Sequence, residues 1–243
     1  MAAVARGDLD RSRLIHHTVR MSITIYQIPH SPFCIPVTSA LRALRVAFRV
    51  VNIPNSDRSS IIRLTKGAYY HVPLLMDGAK AVYETGPDTQ DIAQHIERRF
   101  GHGRLFPARL AGQQAIFLRY IENDIESLSF RLSDPPYIRS ISDVVARTLV
   151  IRHKERKFGR GCVEQWEKQA PQIRQQFQTL LLPFDQILQH SPYLFGDAPV
   201  YTDFALLGIT GNLTYRNHNT LPARLKALRQ WEKRMRAFRW PAQ

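Results

Sequence analysis

Every strand-like run in this chain lies before residue 84, and everything after the Gly/Pro/His stretch at 101–107 lacks strand signals. That single change of pattern requires two unlike parts, an α/β part followed by an all-helical one. In the first part, residues 23–26 read as a strand. Val37, Ala40, Leu41 and Leu44 then recur at helical spacing and predict an amphipathic helix over 36–47. Pro36 suits the first turn of that helix, where a missing N–H costs nothing. Residues 48–53 are rich in aromatic and β-branched types and read as a second strand, ended by Pro54. A short helix is expected over 59–65. Residues 72–78 read as a strand running into a hairpin turn at Asp77-Gly78, and 81–83 as the return strand. Ile92, Ile96 and Phe100 mark a helix running from Thr89 to Gly101. The predicted order is βαβαββα within about 80 residues, an ordinary size for a small domain.

Beyond the linker, Phe117, Ile121, Ile125 and Leu128 stripe one helix. Val163, Trp166, Ile173, Phe177, Phe184 and Leu188 stripe a longer one, which Pro171 and Pro183 are expected to kink or break. Residues 202–214 are apolar nearly all round, the pattern of a buried helix. A last helical segment over 221–235 closes the chain. No internal repeat is evident.

Composition narrows the class. The chain has 243 residues, 44% hydrophobic and 22% charged, which is ordinary globular composition with enough length to bury a sizeable core. No apolar run approaches the roughly 18 residues of a membrane-spanning helix. Two cysteines far apart are neither a disulfide framework nor a zinc spacing, so no metal is expected and a reducing, cytoplasmic compartment fits best. The net charge of +14 favours anionic ligands and surfaces. The arginines are scattered, however, with no dense basic tail, and nucleic acid is not expected as a partner. The first twenty residues mix Arg6, Arg11, Arg13 and Arg20 with Asp8 and Asp10 and lack the apolar centre of a signal peptide. They are expected to form a disordered arm, with Met21 as an alternative start.

The turn Ile28-Pro29-His30-Ser31-Pro32-Phe33-Cys34 connects the first strand to the first helix. A serine there is a good helix cap. A cysteine there is either a packing thiol or, with its pKa lowered by the helix N-terminus, a reactive one. Cys162 reads as a packing or surface thiol. The densest basic run, residues 152–161, reads either as an anion site near a cleft, as a nucleic-acid contact, or as a solvated helix end. Its Gly159-x-Gly161 lacks the Lys-Ser/Thr of a phosphate loop.

Three pieces carry a family resemblance: Ser31-Pro32-Phe33-Cys34, Val72-Pro73-Leu74-Leu75, and Tyr193-Leu194-Phe195-Gly196-Asp197 followed by Asp203. In order and spacing they resemble the cytosolic glutathione transferases, over residues 22–240. The resemblance implies a thioredoxin-like α/β glutathione-binding domain at 21–101 and an all-α helical bundle at 108–243. It implies a detoxifying enzyme that conjugates the glutathione thiolate to a hydrophobic electrophile, transferring alkyl or aryl groups other than methyl. Glutathione would be the co-substrate and a homodimer the assembly. Aligned on Pro32-Phe33, Ser31 takes the catalytic place and Cys34 the second one. Val72-Pro73 takes the place of the family's cis-proline, where the main chain pairs with the peptide ligand. His71 stands where many members hold the glycine carboxylate. The family's acidic residue followed by Ser/Thr, which receives the γ-glutamyl end, has two matches. Glu84-Thr85 follows from the hairpin. Asp88-Thr89 follows from the next helix and is preferred, because Thr89 is well placed to cap that helix.

Val200 stands where the family often has Ser/Thr, so Asp203 is expected to make only half of a capping box. Phe33, Phe117 and Tyr120 are candidates for the wall of an electrophile pocket, with at least two of them expected in the core. Two other functions remain open: a glutathione-dependent thiol reductase using Cys34, and a non-catalytic module of this fold that binds RNA or an acidic protein.

Overall fold

A computed structural model of the chain describes residues 23–86 and 89–242. The arm at 1–20, the alternative start at Met21 and the candidate Asp88 lie outside the described residues.

The α/β half consists of β1 (Ile23–Gln27), α1 (Cys34–Ala43), β2 (Phe48–Asn52), α2 (Ser59–Leu64), β3 (Leu74–Asp77), β4 (Lys80–Val82) and α3 (Asp91–Ile96). The strands form one mixed sheet in the order β2-β1-β3-β4. β1 runs parallel to β2, with Ile23 opposite Phe48, and antiparallel to β3, with Ile23 opposite Asp77. Strand alternation sorts the side chains onto two faces. Ile23, Ile25 and Leu75 pack with Val37, Leu41, Ile92 and Ile96 of α1 and α3. Leu74 and Ile53 pack with Ile61 of α2 on the other side.

The first helix starts two residues earlier than its apolar pattern predicts and ends at Ala43. Pro36 thus falls at its third position, still among the N–H groups that lack an intrahelical partner. The end is set by Arg45, which takes a left-handed φ of 57° while the Val46 N–H donates to the Leu41 carbonyl.

The helical half begins with α4 (Ala111–Arg119), which continues through a π-helical turn (Tyr120–Ile125) into α5 (Glu126–Arg139). It goes on with α6 (Val144–Phe158), α7 (Cys162–His190), α8 (Tyr201–Leu213) and α9 (Lys226–Ala237). All 13 residues of α8 are buried, as its apolar pattern predicts. The expected break in the long helix does not occur. α7 runs unbroken for 29 residues with Pro171 and Pro183 inside it. Both prolines lie on its exposed face, where water can satisfy the carbonyls of Glu167 and Thr179 that lose their N–H partners.

Asp203 makes the expected half of a capping box. Its carboxylate accepts the Val200 N–H at 3.1 Å, and also the Leu194 N–H at 3.0 Å and the Trp231 indole N–H at 2.9 Å. The two halves share one apolar core. They are pinned by the Asn212 amide on the His30 carbonyl at 2.7 Å and by the Trp240 N–H on the Ala43 carbonyl at 2.8 Å. Their closest packing is at Gly208 of α8. A Cβ there would stand 2.1 Å from the Pro32 carbonyl oxygen and 2.7 Å from Pro36 Cγ.

Among the described residues, no helix is long and apolar enough to cross a membrane.

Candidate active-site cleft

The turn after β1 is built on Ser31. Its N–H donates to the Ile28 carbonyl at 3.0 Å, and its own carbonyl accepts the Cys34 and Ile35 N–H groups at 3.1 and 3.2 Å. The Ser31 hydroxyl oxygen accepts the Phe33 N–H at 3.3 Å. Pro32 and Phe33 reach the wall of a cleft between the two halves, with Phe33 41% exposed. Ser31 is 9% exposed and Cys34 wholly buried, and neither side chain lines that wall. Burial pushes the Cys34 thiol up to about 11, against a smaller opposing effect of the Ser31 hydroxyl. Cys162 is buried as well, far along the chain in α7.

The Val72–Pro73 peptide bond is cis, in accord with what the resemblance implies for this position. Both residues line the cleft, and the Val72 main chain takes no hydrogen-bond partner among the described residues. His71 lines it too, in ring contact with Tyr70 at 3.9 Å. Its pKa is lowered by burial first, then by Lys157 and Arg58, which favours the neutral imidazole over the charged one.

The loop between β4 and α3 brings Glu84 of one candidate pair against Thr89 of the other. Glu84 Oε2 accepts the Thr89 hydroxyl at 3.0 Å and the Asp91 N–H at 2.7 Å, while Oε1 accepts the Ile92 N–H at 3.2 Å. Thr89 therefore does not cap α3. Glu84 does, because its longer side chain reaches two N–H groups at the helix start. The Thr89 oxygen is occupied by the Thr85 and Gly86 N–H groups at 3.2 and 3.1 Å. Thr85 itself turns to Asp91, donating its hydroxyl at 2.6 Å. Glu84 and Thr89 line the cleft and Thr85 does not. Burial raises the Glu84 pKa, opposed by the hydrogen bonds it accepts.

The helical half supplies residues that sequence reasoning did not single out. Ile121 and Glu122 reach the cleft from the π-helical turn, a distortion with no signature in the apolar stripe. Gln90 donates from its amide to both Glu122 carboxylate oxygens at 2.9 Å, tying the entry of α3 to the helical half. Tyr201, Ala205 and Ile209 of the buried α8 form an apolar floor, and Lys157 comes from the basic run. Of the three aromatic candidates only Phe33 lines the cleft. Phe117 and Tyr120 pack against Phe184, each with ring centroids 5.9 Å away.

A thioredoxin-like sheet half joined to a helical half, with a cleft at the cis-proline, defines a class of protein. Residues 25–104 match the family model described as glutathione S-transferase, N-terminal domain. In three dimensions the chain is similar to a glutathione transferase of Phanerochaete chrysosporium, GSTFuA3, with 14% identity over 91% of this chain and 99% of that one and a TM-score of 0.74. It is similar to the glutaredoxin 2 of Salmonella typhimurium solved in complex with glutathione, with 18% identity, 88% and 92% coverage and a TM-score of 0.67. It is also similar to a glutathione S-transferase of Ceriporiopsis subvermispora in complex with glutathione, with 16% identity, 88% and 93% coverage and a TM-score of 0.67. No curated protein matches the chain at the level of sequence. Residues 25–104 thus belong to the glutathione S-transferase family of N-terminal domains, and the chain as a whole has the glutathione S-transferase fold.

Proposed function

We propose that this chain is a glutathione transferase that conjugates the glutathione thiolate to a hydrophobic electrophile. The observation that carries the reading is the cleft itself. The unpartnered Val72 main chain at a cis-proline, and the Glu84–Thr89 pair, occupy one wall of a domain that matches the glutathione S-transferase model. Glutathione lies along Val72 like an added strand, its γ-glutamyl end at Glu84 and Thr89. The two carboxylates of Glu84 and Glu122 suit an ammonium group. The first amides of α3 are already accepted by Glu84, so the γ-glutamyl carboxylate falls to the loop around Thr89.

Ser31 holds the sulfur as its thiolate, through a hydroxyl that is 9% exposed and not itself on the cleft wall, so the sulfur has to enter the turn to meet it. The hydroxyl is a rotor, and turning its proton toward the substrate sulfur costs little. Donation from a hydroxyl near a helix N-terminus stabilises the thiolate over the thiol, and the proton lost goes to solvent. The electrophile enters over Phe33 and the floor of Tyr201, Ala205 and Ile209, and the rate gain comes from thiolate stabilisation plus proximity. The glutathione-binding domain spans 21–101 and the helical domain 108–243, and the active form is a cytoplasmic homodimer. A thiol reductase working through Cys34 is not favoured, because that thiol is wholly buried and pushed up to about 11.

The test is retention on immobilised glutathione together with the conjugation rate towards an activated aryl chloride, for the wild type and Ser31→Ala. Retention with a rate lowered at least ~10-fold in the variant supports the reading, the magnitude being that of a lost hydrogen bond to a charged group. An unchanged rate removes Ser31 from the mechanism. No retention together with salt-sensitive RNA binding would leave the chain as a binding module.

A further inference from the structure

The basic run at 152–161 contributes one side chain to the cleft. Arg152 is paired with Glu155, and Lys154 with the buried Asp134. Lys157, in the last turn of α6, makes no hydrogen bond or ion pair among the described residues, and it lines the cleft together with His71 of the other half. Among the described residues lining the cleft it is the only lysine or arginine. Its charge is felt at His71, whose pKa is lowered by burial and then by Lys157 and Arg58. Arg58 does not line the wall and is held by the Pro54 carbonyl and the Asn55 side chain, both at 2.8 Å. Glu126, an acid that feels Lys157, has a carboxyl that burial pushes up to about 7, leaving it only part-ionised at neutral pH.

The wall is therefore acidic at Glu84 and Glu122 and cationic at Lys157. That matches a peptide with an ammonium at one end and a carboxylate at the other. We propose that Lys157, reaching across from the helical half, anchors the glycyl carboxylate of glutathione, in place of His71. This rests on the glutathione reading above. A neutral imidazole offers that carboxylate one uncharged donor, whereas an ammonium offers a charge-assisted bond. Ligand binding then ties α6, which packs chiefly on α5 and α7, to the sheet half.

The experiment is calorimetric titration of the full chain with glutathione and with glutathione capped as the ethyl ester at its glycyl carboxylate. The proteins are the wild type, Lys157→Met, Lys157→Arg and His71→Gln. Lys157 is exposed, so these changes leave the fold intact. The expected result is that Lys157→Met raises the Kd for glutathione about 10-fold and leaves that for the ester within about two-fold, while Lys157→Arg recovers most of the loss. Equal glutathione affinity in the wild type and Lys157→Met overturns the anchor, as does a wild type that binds ester and acid alike. A loss confined to His71→Gln gives the carboxylate to His71. A wild type that binds neither ligand overturns the glutathione reading itself, and the anchor with it.

Discussion

The Glu84 carboxylate accepts the Thr89 hydroxyl at 3.0 Å, joining one residue from each of two rival acid–hydroxyl pairs, Glu84-Thr85 and Asp88-Thr89. The same carboxylate takes the first two N–H groups of α3. Glu84 is thus both a wall of the cleft and the cap of a helix. Glu84→Ala is expected to cost about 1–2 kcal/mol of stability, the usual loss for a helix cap. Thr89→Val keeps the cap and loses only the hydroxyl. It also frees the Thr85 and Gly86 N–H groups that the hydroxyl oxygen holds, so it is expected to weaken glutathione binding several-fold while lowering the urea midpoint less than Glu84→Ala does. If both variants shift stability and affinity in the same proportion, the loop has only a structural role.

Cys34 is expected to be chemically silent in the native protein. With its thiol pushed up to about 11, roughly a thousandth of it is thiolate at pH 8, and no part of it is exposed. In a Cys162→Ser background, intact-mass analysis after brief treatment with a thiol reagent at pH 8 is expected to show no adduct on folded protein and full labelling in urea. Cys34→Ala, which removes one buried sulfur, is expected to keep conjugation within about two-fold at the cost of a small cavity. Rapid native labelling would revive the reductase reading.

The stability of the helical half is expected to fall as pH rises through mildly acidic values, because of Asp203. Burial raises its folded pKa to about 6, against about 3.9 for an unfolded aspartate. Between these values the folded chain keeps a proton that the unfolded chain releases, so the stabilisation is complete below pH ~4 and lost by pH ~6. Two pKa units correspond to on the order of 2–3 kcal/mol. Asp203→Asn removes the titration, and the stability gap between wild type and variant is expected to shrink by most of that amount from pH 4.5 to 7 in urea unfolding. A gap that stays flat or widens with pH contradicts the assignment.

The succession of strands and helices in the α/β half was legible because period-two and period-3.6 patterns report burial directly, as Ile23 and Ile25 in β1 and Leu41 in α1 illustrate. The all-buried α8 was legible for the same reason. The site was legible only where one residue's neighbours in sequence are also its neighbours in space. Val72-Pro73 is such a case. Glu84 and Thr89 are not, since counting along the chain cannot see that the loop brings both to one cleft. Lys157 sat in a run whose members look alike in sequence, and only the placement of α6 distinguishes it from Arg152 and Lys154. The prolines of α7 do not break the helix, because their cost depends on which face they occupy, a tertiary property.

Gly208 couples the packing of the fold to the geometry of the cleft. A Cβ at this position would meet the Pro32 carbonyl oxygen at 2.1 Å, a main-chain atom of the turn that carries Ser31 and Phe33. Neither partner can yield alone, since α8 is buried along its whole length and the turn is held by the Ser31 hydrogen bonds to Ile28, Cys34 and Ile35. Gly208→Ala is therefore expected to push the turn away from α8, costing about 1–3 kcal/mol as an overpacked core change does. At Gly112 in α4 a Cβ would meet nothing within 4 Å, so Gly112→Ala serves as the control and is expected to gain about 0.5–1 kcal/mol from helix propensity alone. The two are compared by urea unfolding and by the Kd for glutathione. Because the displaced turn carries Phe33 at the cleft wall, Gly208→Ala is expected to weaken binding as well as stability, whereas Gly112→Ala leaves binding unchanged. Binding that survives intact in a destabilised Gly208→Ala would mean that the turn does not set the geometry of the cleft.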